Sequence, residues 1–522
     1  MTGPVQSCAP QSNRGGWRLD LALGLLFLAA TLAAAPHALW TSHPPVPYGA
    51  EQTNIAHALA AGRGFADPQP LPSGPTAWVP PLWPGIIALI YRCFGVDTAP
   101  ASHVLAGLQY LLAAYTLFAL LRCWRRSAGW AGRVLLAAVY VLLAFPLVRT
   151  LAAENADDLW IVWALLASLL WLATGDGWRW SRLLGFSLLG ALSILAHAGA
   201  GLAFLVTAGV CLWLDRPPGQ SPRPSASGGL GARILIVYLG AVLAAGGWAG
   251  RNYERFHALI PLKSTFWFEI GLTLLPPDHS GVLTVSDMLL RHPSGSPRVN
   301  AHLAEVGEPR FMAEQRQAVM AALRRDPIVL GRQVWRRTVN ALAYADPVVD
   351  AREVLVRLPE QDLKTLQQAG LVWVSPDHRP TMWVNLGRPT AGTVRAIAAL
   401  PLENKEGALR DWVRAAREFH ASATSWTAVW TRLLYGTLPA LCLFWGAWRS
   451  RRTGWTLLTS AGVAYFAVLV PNILITHNLA HQFRFVPLQV ALIAGTVWDV
   501  AGPIAARLAS SAKARAAGRC RV

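Results

Sequence analysis

Blocks of apolar residues long enough to cross a lipid bilayer recur along this sequence, and they limit its fold more than any other feature. A helix that spans the hydrocarbon core needs about 20 predominantly apolar residues. Hydrophobic residues make up 53% of the 522 positions and charged residues only 14%, against roughly 25% charge in a soluble domain. The predicted spans, several of them short, are 17–40, 102–121, 132–150, 159–174, 183–197, 199–214, 234–250, 426–447, 454–475 and 485–505. The sequence therefore predicts an all-α polytopic membrane protein with about ten transmembrane helices.

Two apolar stretches are not simple membrane spans. Leu82–Phe94 is preceded by Pro81 and contains Arg92. At this length a juxtamembrane or re-entrant helix is favoured over a crossing. The stretch 183–214 is interrupted only by His197 and two nearby glycines, and it is counted as two spans.

The distribution of positive charge predicts how these spans are oriented. Lys and Arg residues near cytoplasmic helix ends should outnumber those in short outer loops. With the N-terminus inside, the inner segments hold nineteen Lys and Arg residues, whereas the short outer segments hold Arg63, Arg92, Arg149 and Arg484. Moving the count by one helix would remove this asymmetry. We therefore expect both termini to be cytoplasmic, with residues 1–40 forming an uncleaved anchor.

This topology divides the chain into five parts. The long segment without an apolar span is expected to be α-rich, because 324–347 is basic and amphipathic and because 347–365 and 403–420 have helical spacing. The parts are a cytoplasmic tail 1–16, helices one to seven 17–250 with an outer loop 41–81, an extracytoplasmic segment 251–425, helices eight to ten 426–505 and a basic cytoplasmic tail 506–522. Two outer regions, the loop and the long segment, thus face the same compartment.

Several classes of function are disfavoured by the composition. The net charge of +18 is explained by basic helix ends beside anionic lipid, so no nucleic-acid partner is expected. No Gly-rich nucleotide-binding loop is present, so a cytosolic nucleotide as fuel is unsupported. The six cysteines are scattered without the spacing of a zinc site or a disulfide framework.

Acidic, basic and amide side chains from distant segments are predicted to share the outer membrane surface. A carboxylate can serve as a general base for a hydroxyl acceptor, and an arginine fork suits a phosphate group. Glu51 is the only acid between Asp20 and Asp67. The other groups are Glu154, Asp157, Asp158, Arg251, Asn252, His477, His481 and Arg484. A base and a phosphate-binding group on one surface indicate a substrate linked to a lipid phosphate.

Three motifs make the chain resemble a known family. The first is YGAEQTNIAHALAAGRGF at 48–65 with GPTAWVPPLWP at 74–84. The second is WAGRNY at 248–253 with IPLKS at 260–264, and the third is HQFRFVP at 481–487. Together they resemble bacterial GT-C glycosyltransferases of the protein-mannosyltransferase-like group. The resemblance covers 17–275 and 470–505 and is weak over 290–425.

This resemblance implies a GT-C fold in the bacterial inner membrane. It implies transfer of a sugar, with inversion, from a polyprenyl-phosphate donor to a glycan, lipid or protein acceptor on the outer face, with membrane lipids as surroundings. Glu51 matches the family's catalytic base. The expected donor-phosphate residues are Arg484, Arg251 and His481, and the expected substrate-binding residues are Trp78, Asn252 and Glu269.

One departure from the family concerns a metal. Many relatives carry two adjacent acids in the first loop, whereas this chain has Glu51 followed by Gln52. A single acid favours a base over a two-ligand metal site. Asp157 and Asp158 leave open a divalent metal, magnesium or manganese, and no other cofactor is expected.

Each candidate also has a purely structural interpretation. Glu51 would then be a solvated loop charge, and Asp157 and Asp158 would cap the fourth span. Arg484 would be an interfacial anchor.

Two other functions compete with the enzyme. One is a lipid-linked sugar transporter or flippase, which would show midplane charges and symmetric halves. The other is a non-catalytic envelope protein that assembles glycans through 251–425. Consumption of a polyprenyl-phosphate sugar by the purified protein is expected only of the enzyme.

Overall fold

The protein is helical throughout almost all of the part that the structure describes. The computed structural model describes residues 16–35, 50–124, 129–152, 157–175, 177–214, 229–275, 291–293, 297–343, 373–374, 380–381, 433–453, 457–474 and 483–519. The only strands among these residues are Trp373–Val374 (β1) and Pro380–Thr381 (β2), an antiparallel pair in which Trp373 faces Thr381.

Among the described residues, nine helices precede the long outer segment. They are α1 Gly16–Ala33, α2 Ala50–Ala60, α3 Leu82–Phe94, α4 Ala99–Trp124, α5 Gly129–Leu151, α6 Leu159–Ala173, α7 Trp180–Ala196, α8 Ala198–Leu214 and α9 Leu230–Phe256. The outer segment contributes α10 Phe266–Leu274, α11 Pro297–Val306, α12 Glu308–Arg325 and α13 Val329–Ala343. A π-helical turn at Leu433–Thr437 leads into α14 Leu438–Thr453, which is followed by α15 Leu457–Leu474 and α16 Val486–Arg519.

Every predicted span overlaps one of these helices, so the fold class is confirmed. By length and composition alone, Ala99–Trp124, Trp130–Arg149, Leu230–Phe256 and Val486–Pro503 could cross a membrane, and the other apolar helices are shorter. The chain is thus an all-α polytopic membrane protein, and the count of ten crossings stays a prediction.

The two ambiguous stretches are also helical. The run at 82–94 forms α3 with the predicted boundaries. The pair at 183–214 forms α7 and α8, which are separated by His197 in an extended conformation. One residue outside the helical region of φ and ψ is enough to end α7 and let α8 begin.

The helices pack into one bundle around aromatic side chains. Along the bundle α4 contacts α1, α5 and α6, while α16 contacts α5 and α15. Trp83, Trp160, Trp163, Tyr110 and Tyr140 are among the largest fully buried side chains. Buried polar atoms on these rings need partners, and the Tyr140 hydroxyl donates to Ala113 O at 2.6 Å. The Trp163 indole donates to Phe483 O at 2.7 Å, which ties α6 to the segment just before α16.

Large apolar side chains point outward from the same helices. Leu26, Leu111, Leu142, Leu188 and Val242 are all more than half exposed. In water such a surface would be a liability, whereas in a bilayer it faces hydrocarbon.

The outer segment forms a small helical body against one end of the bundle. Helix α10 packs on α12, and α13 packs on α15. Arg337 of α13 is fully buried and donates to Leu474 O at 3.0 Å, so it satisfies a carbonyl at the end of α15. The basic amphipathic stretch thus forms the predicted helix, while 347–365 and 403–420 lie outside the described residues.

A buried ion pair closes the opposite end of the bundle. Asp20 of α1 is fully buried and accepts a hydrogen bond from Arg133 of α5 at 3.0 Å, with Arg122 of α4 at 3.8 Å. One carboxylate thus joins three helices. Helix α5 begins at this end of the bundle and ends at the other, a few residues before Asp157.

We expect Asp20→Asn to destabilise the protein. Removing one partner of a buried ion pair costs about 3–5 kcal/mol, because the other charge stays buried without compensation. Thermal melting in detergent should therefore show a clear loss for Asp20→Asn. Arg18→Gln, at an exposed position on the same helix, is the control and should melt like wild type. Equal melting of all three proteins would contradict this account.

Candidate active site

The first outer loop is held in a fixed shape by its own hydrogen bonds. Asp67 adopts a left-handed backbone conformation with φ of 54°, and its Oδ1 accepts hydrogen bonds from the amides of Ser73 and Gly74, both at 3.0 Å. Arg63 forms an ion pair with the same carboxylate. The loop is therefore a rigid platform that follows α2.

A buried glutamate of the outer segment holds the end of this loop. Glu308 is 2% exposed, accepts a hydrogen bond from the Ala77 amide at 2.8 Å and accepts another from the Thr76 hydroxyl. Burial raises the pKa of Glu308, and these hydrogen bonds oppose that shift. The Ser264 amide also donates to Ala77 O at 2.9 Å. The first loop and the outer segment thus form one unit.

Arg251 supports the loop, which corrects its predicted role as a phosphate ligand. Its guanidinium donates to Thr76 O at 2.6 Å, to Phe65 O at 2.7 Å and to Asn252 Oδ1 at 2.9 Å. It also lies over the Phe65 and Trp248 rings, so its hydrogen-bonding capacity is largely committed.

Asn252 is structural for the same reason. It is fully buried, and its amide nitrogen donates to Ile260 O at 2.9 Å. Contact with a substrate, as predicted, does not fit this position.

Arg484 forms a buried ion triad with the two acids that precede α6. Its Nε donates to Asp158 Oδ1 and its Nη2 to Asp157 Oδ2, each at 2.7 Å. Burial disfavours the guanidinium charge, but the two carboxylates outweigh it and raise the pKa of Arg484. Three residues predicted to share the outer surface therefore lie in direct contact, although 326 positions separate Asp158 from Arg484.

The acids of this triad neither cap α6 through their side chains nor fit a metal. Asp158 is the N-cap residue, but its side chain makes no capping hydrogen bond. Both carboxylates instead hold Arg484. Within the described residues no group of three His, Cys, Asp or Glu side chains is placed to hold a metal ion. The described residues alone do not form a site for the divalent metal that the sequence left open, so that metal stays a prediction.

Glu51 lies in the first turn of α2 beside this triad. The neighbouring Gln52 donates to Asp157 Oδ1 at 3.0 Å. The Glu51 side chain is only 17% exposed, with Oε1 at 3.5 Å from Nε2 of His292. Burial is the largest cause that raises the pKa of Glu51 to about 7, and the Asp157 charge adds to it, while Lys263 and Gln69 oppose it. Glu51 is therefore not a solvated loop charge.

One cation, Lys263, acts on the Glu51 carboxylate. Lys263 forms an ion pair with Glu269, whose Oε1 also accepts from the Thr265 hydroxyl at 2.9 Å. Lys263 is 30% exposed and acts electrostatically on Glu51. His197, at the turn between α7 and α8, lies within electrostatic range of Lys263 and Arg484. One site thus collects groups from the first loop, α6, the α7–α8 turn, the outer segment and the start of α16.

Trp78, expected to bind the substrate, does not present an open ring face. It is 4% exposed and packs against Phe268, His292 and Phe311, with ring centroids 5.2, 6.0 and 6.4 Å away. Burial of Trp78 leaves its ring no face for a sugar. It instead forms the wall against which His292 rests.

Not every predicted residue lies in the described part of the chain, and not every residue of the site was predicted. Glu154, His477 and His481 lie outside the described residues. Sequence reasoning missed His292, Gln69 and Glu308, and it quoted Lys263 only as part of a motif. For Lys263, its place in that motif could have indicated a role in the site. No local sequence pattern marks His292, Gln69 or Glu308.

Comparison with known proteins adds little to this geometry. No protein-family model matches the sequence, and no curated protein matches it. Among solved structures, the chain is similar to the Archaeoglobus fulgidus oligosaccharyltransferase, crystallised in complex with zinc and sulfate, with a TM-score of 0.45 and 11% sequence identity. The match covers 93% of this chain and 51% of the archaeal chain, so this chain spans about half the length of that protein. At this similarity the match assigns neither a function nor a metal.

The raised pKa of Glu51 predicts a pH-dependent cost in stability. Below pH 4.5 the group is protonated in both the folded and the unfolded chain, so its ionisation costs nothing. Between pH 4.5 and 7 the folded chain binds more protons, and its stability falls as the pH rises. The cost reaches about 3 kcal/mol above pH 7. We therefore expect Glu51→Gln to melt at a higher temperature than wild type at pH 8.

The same variant should melt like wild type at pH 4, where Glu51 is neutral in both states. Glu314→Gln, which removes a surface carboxylate ion-paired with His302, is the control and should not show the rise at pH 8. A Glu51→Gln protein no more stable than wild type at pH 8 would contradict the raised pKa.

Proposed function

We propose that this protein is a membrane glycosyltransferase of the GT-C kind. It transfers a sugar from a polyprenyl-phosphate donor to an acceptor on the extracytoplasmic face, with inversion at the anomeric carbon. The observation that carries the proposal is Glu51, a carboxyl with a pKa of about 7 that Lys263 acts on, at one end of an apolar bundle. The three motifs of the sequence supply the family.

Glu51 suits the role of general base. An acceptor hydroxyl has a pKa far above neutrality, so its proton must leave as the new bond forms. A base is most effective when its pKa lies near the working pH, and burial gives Glu51 that property. The acceptor oxygen attacks the anomeric carbon, its proton passes to the Glu51 carboxylate, and the bond from carbon to the phosphate oxygen breaks with its electrons on that oxygen.

The leaving phosphate needs positive charge and little acid help. Lys263 supplies that charge next to Glu51, and Arg484 supplies it from the triad that contacts the neighbouring Gln52. Nε and Nη2 of Arg484 hold the two acids, and among the described residues this leaves Nη1 for a phosphate oxygen. Lys263 is the more exposed of the two cations. A substrate that displaces Lys263 from Glu269 would gain a charge-assisted hydrogen bond.

The position of the site at a helix end suits a donor with a lipid chain. The polyprenyl tail would lie against the exposed apolar side chains of the bundle, and the phosphate would sit at the membrane–water boundary. The positive-inside distribution of charge favours both termini in the cytoplasm, so that the site faces outward, and the resemblance implies the bacterial inner membrane.

A panel of donors tests the function directly. Wild-type protein in phospholipid nanodiscs would be incubated with radiolabelled polyprenyl-phosphate sugars, each carrying a different hexose or pentose. We expect release of polyprenyl phosphate from at least one donor. Consumption of none of them by folded protein would overturn the proposal.

We expect Glu51→Gln to bind the donor but to lose turnover by a factor of about 10²–10⁴, the usual contribution of a general base. Glu51→Asp keeps the carboxylate one methylene short and should retain partial activity. The wild-type rate should rise with pH through about 7, because Glu51 must be ionised to act. Initial rates from pH 5 to 9 measure both effects.

The control for this series is Glu314→Gln, which should follow the wild-type pH profile. A wild-type rate for Glu51→Gln would place the base elsewhere, with Asp157 as the next residue to test.

Lys263 is expected to bind the donor phosphate. A hydrogen bond to a charged group contributes about 1.5–3 kcal/mol, so Lys263→Gln should raise the apparent KM for the donor by roughly 10–100-fold, and Lys263→Arg should raise it less. Arg484 is a poorer test, because its loss would also leave two acids unpaired.

Glu269→Gln separates two roles of Glu269. If Glu269 only neutralises Lys263, this variant should lower the KM for the donor. If Glu269 binds the sugar, as the resemblance implies, the variant should raise it.

An unchanged KM in Lys263→Gln would remove Lys263 from the phosphate site.

A further inference from the structure

Gln69 is a buried amide with no hydrogen-bond partner among the described residues. The residue is 2% exposed, and within the described part of the chain neither Nε2 nor Oε1 makes a hydrogen bond. Burial of an unsatisfied amide disfavours folding. Native proteins rarely keep such groups without a reason, and a ligand is one such reason.

The backbone around Gln69 is fixed without help from its side chain. The Asn54 side chain donates to Pro68 O at 3.1 Å, and Asp67 is held by two backbone amides and by Arg63. Gln69 comes directly after Asp67 and Pro68 in the chain. Its amide is therefore presented by a rigid loop, as a preorganised binding group should be.

The amide lies next to the proposed base. Gln69 is near enough to the Glu51 carboxyl to favour its ionised form, although the contact falls short of hydrogen-bond geometry. A molecule whose hydroxyl touches Glu51 would thus meet the Gln69 amide as well. That molecule is the acceptor, because the base must contact the attacking hydroxyl.

An amide side chain carries a donor and an acceptor in one plane. Two hydroxyls on adjacent carbons of a sugar ring can satisfy both, since one accepts from Nε2 while its neighbour donates to Oε1. The single hydroxyl of a serine, a threonine or a simple lipid alcohol satisfies only one of the two.

We propose that Gln69 binds a pair of neighbouring hydroxyls on the acceptor, so that the acceptor is a sugar ring and not a protein side chain or a simple lipid alcohol. This inference rests on the proposed function for the identity of the molecule that contacts Glu51. It adds the chemical class of that molecule, which the sequence left open among glycan, lipid and protein.

Binding can be measured without turnover. The probes are the methyl glycosides of glucose, galactose, mannose and N-acetylglucosamine, the single-deoxy forms of any that bind, and N-acetylserine methylamide as a lone hydroxyl. Titration into wild-type protein in nanodiscs should show binding of at least one glycoside and none of the serine derivative. Gln69→Ala should weaken glycoside binding by at least 10-fold, and loss of either neighbouring hydroxyl should weaken wild type but not Gln69→Ala.

Turnover supplies a second measurement. With a donor that wild type consumes, Gln69→Ala should lose transfer to the glycoside by about 100-fold or more, because a site built to bind a hydroxyl discriminates strongly against its loss. Hydrolysis of the donor in the absence of an acceptor should fall much less than transfer does, because water needs no contact with Gln69, and the remaining hydrolysis also shows that the variant is folded.

Gln109→Ala is a matched control. Gln109 is a fully buried amide, also unpartnered among the described residues, but it lies in the middle of α4. This variant should behave like wild type in both assays.

Several results would overturn the inference. Wild-type protein that binds no glycoside, a serine derivative that binds equally well, or a Gln69→Ala protein that loses donor hydrolysis and transfer equally would each do so. Absence of donor consumption by wild type together with Gln69-dependent glycoside binding would instead overturn the proposed function and leave the sugar site in place.

Discussion

The site depends on one interaction, the fork of Arg484 across Asp157 and Asp158. All three groups are largely buried, so each loses hydration that only close, well-aligned partners can replace. The two 2.7 Å contacts meet that requirement. The triad fixes the start of α16 against the start of α6, and Trp163 reinforces this contact by holding Phe483 O. Through Gln52 it also fixes the first turn of α2. The position of Glu51 therefore follows from a contact between two segments that lie 326 positions apart in the chain.

The charge of this triad also sets the chemistry beside it. One guanidinium and two carboxylates leave a net negative charge, which opposes ionisation of Glu51, as burial does more strongly. Lys263 acts in the opposite direction but shares its charge with Glu269. The balance leaves Glu51 with a pKa near 7, where a carboxylate can both lose and accept a proton. A fully solvated glutamate would be ionised but too weak a base, and one buried without cations would stay protonated.

The sequence predicted the helices well and the roles of side chains less well. Apolar blocks indicate burial in a bilayer directly, so the helices and the break at His197 could be predicted without a structure. Glu51 could be predicted as a candidate because no other acid lies near it in the chain. The roles of Arg251 and Trp78 could not be predicted, because a basic or aromatic residue in a motif looks the same whether it contacts a ligand or the protein. Only the structure shows that the carbonyls of Phe65 and Thr76 occupy Arg251. His292 was missed because its value lies in a contact across 241 positions.

The outer segment is part of the site rather than an appendage to it. Sequence resemblance fades after residue 290, yet His292 touches Glu51 and Glu308 holds the end of the first loop. The buried Glu308 carboxylate is tolerated because two donors of that loop, the Thr76 hydroxyl and the Ala77 amide, hydrogen-bond to it. If the loop moved away, this carboxylate would stay buried without those hydrogen bonds. The segment with the least family resemblance thus holds the most family-like loop in place. Since its Phe268 also packs against His292, which contacts Glu51, changes in this segment are a direct route to a different acceptor on an unchanged base.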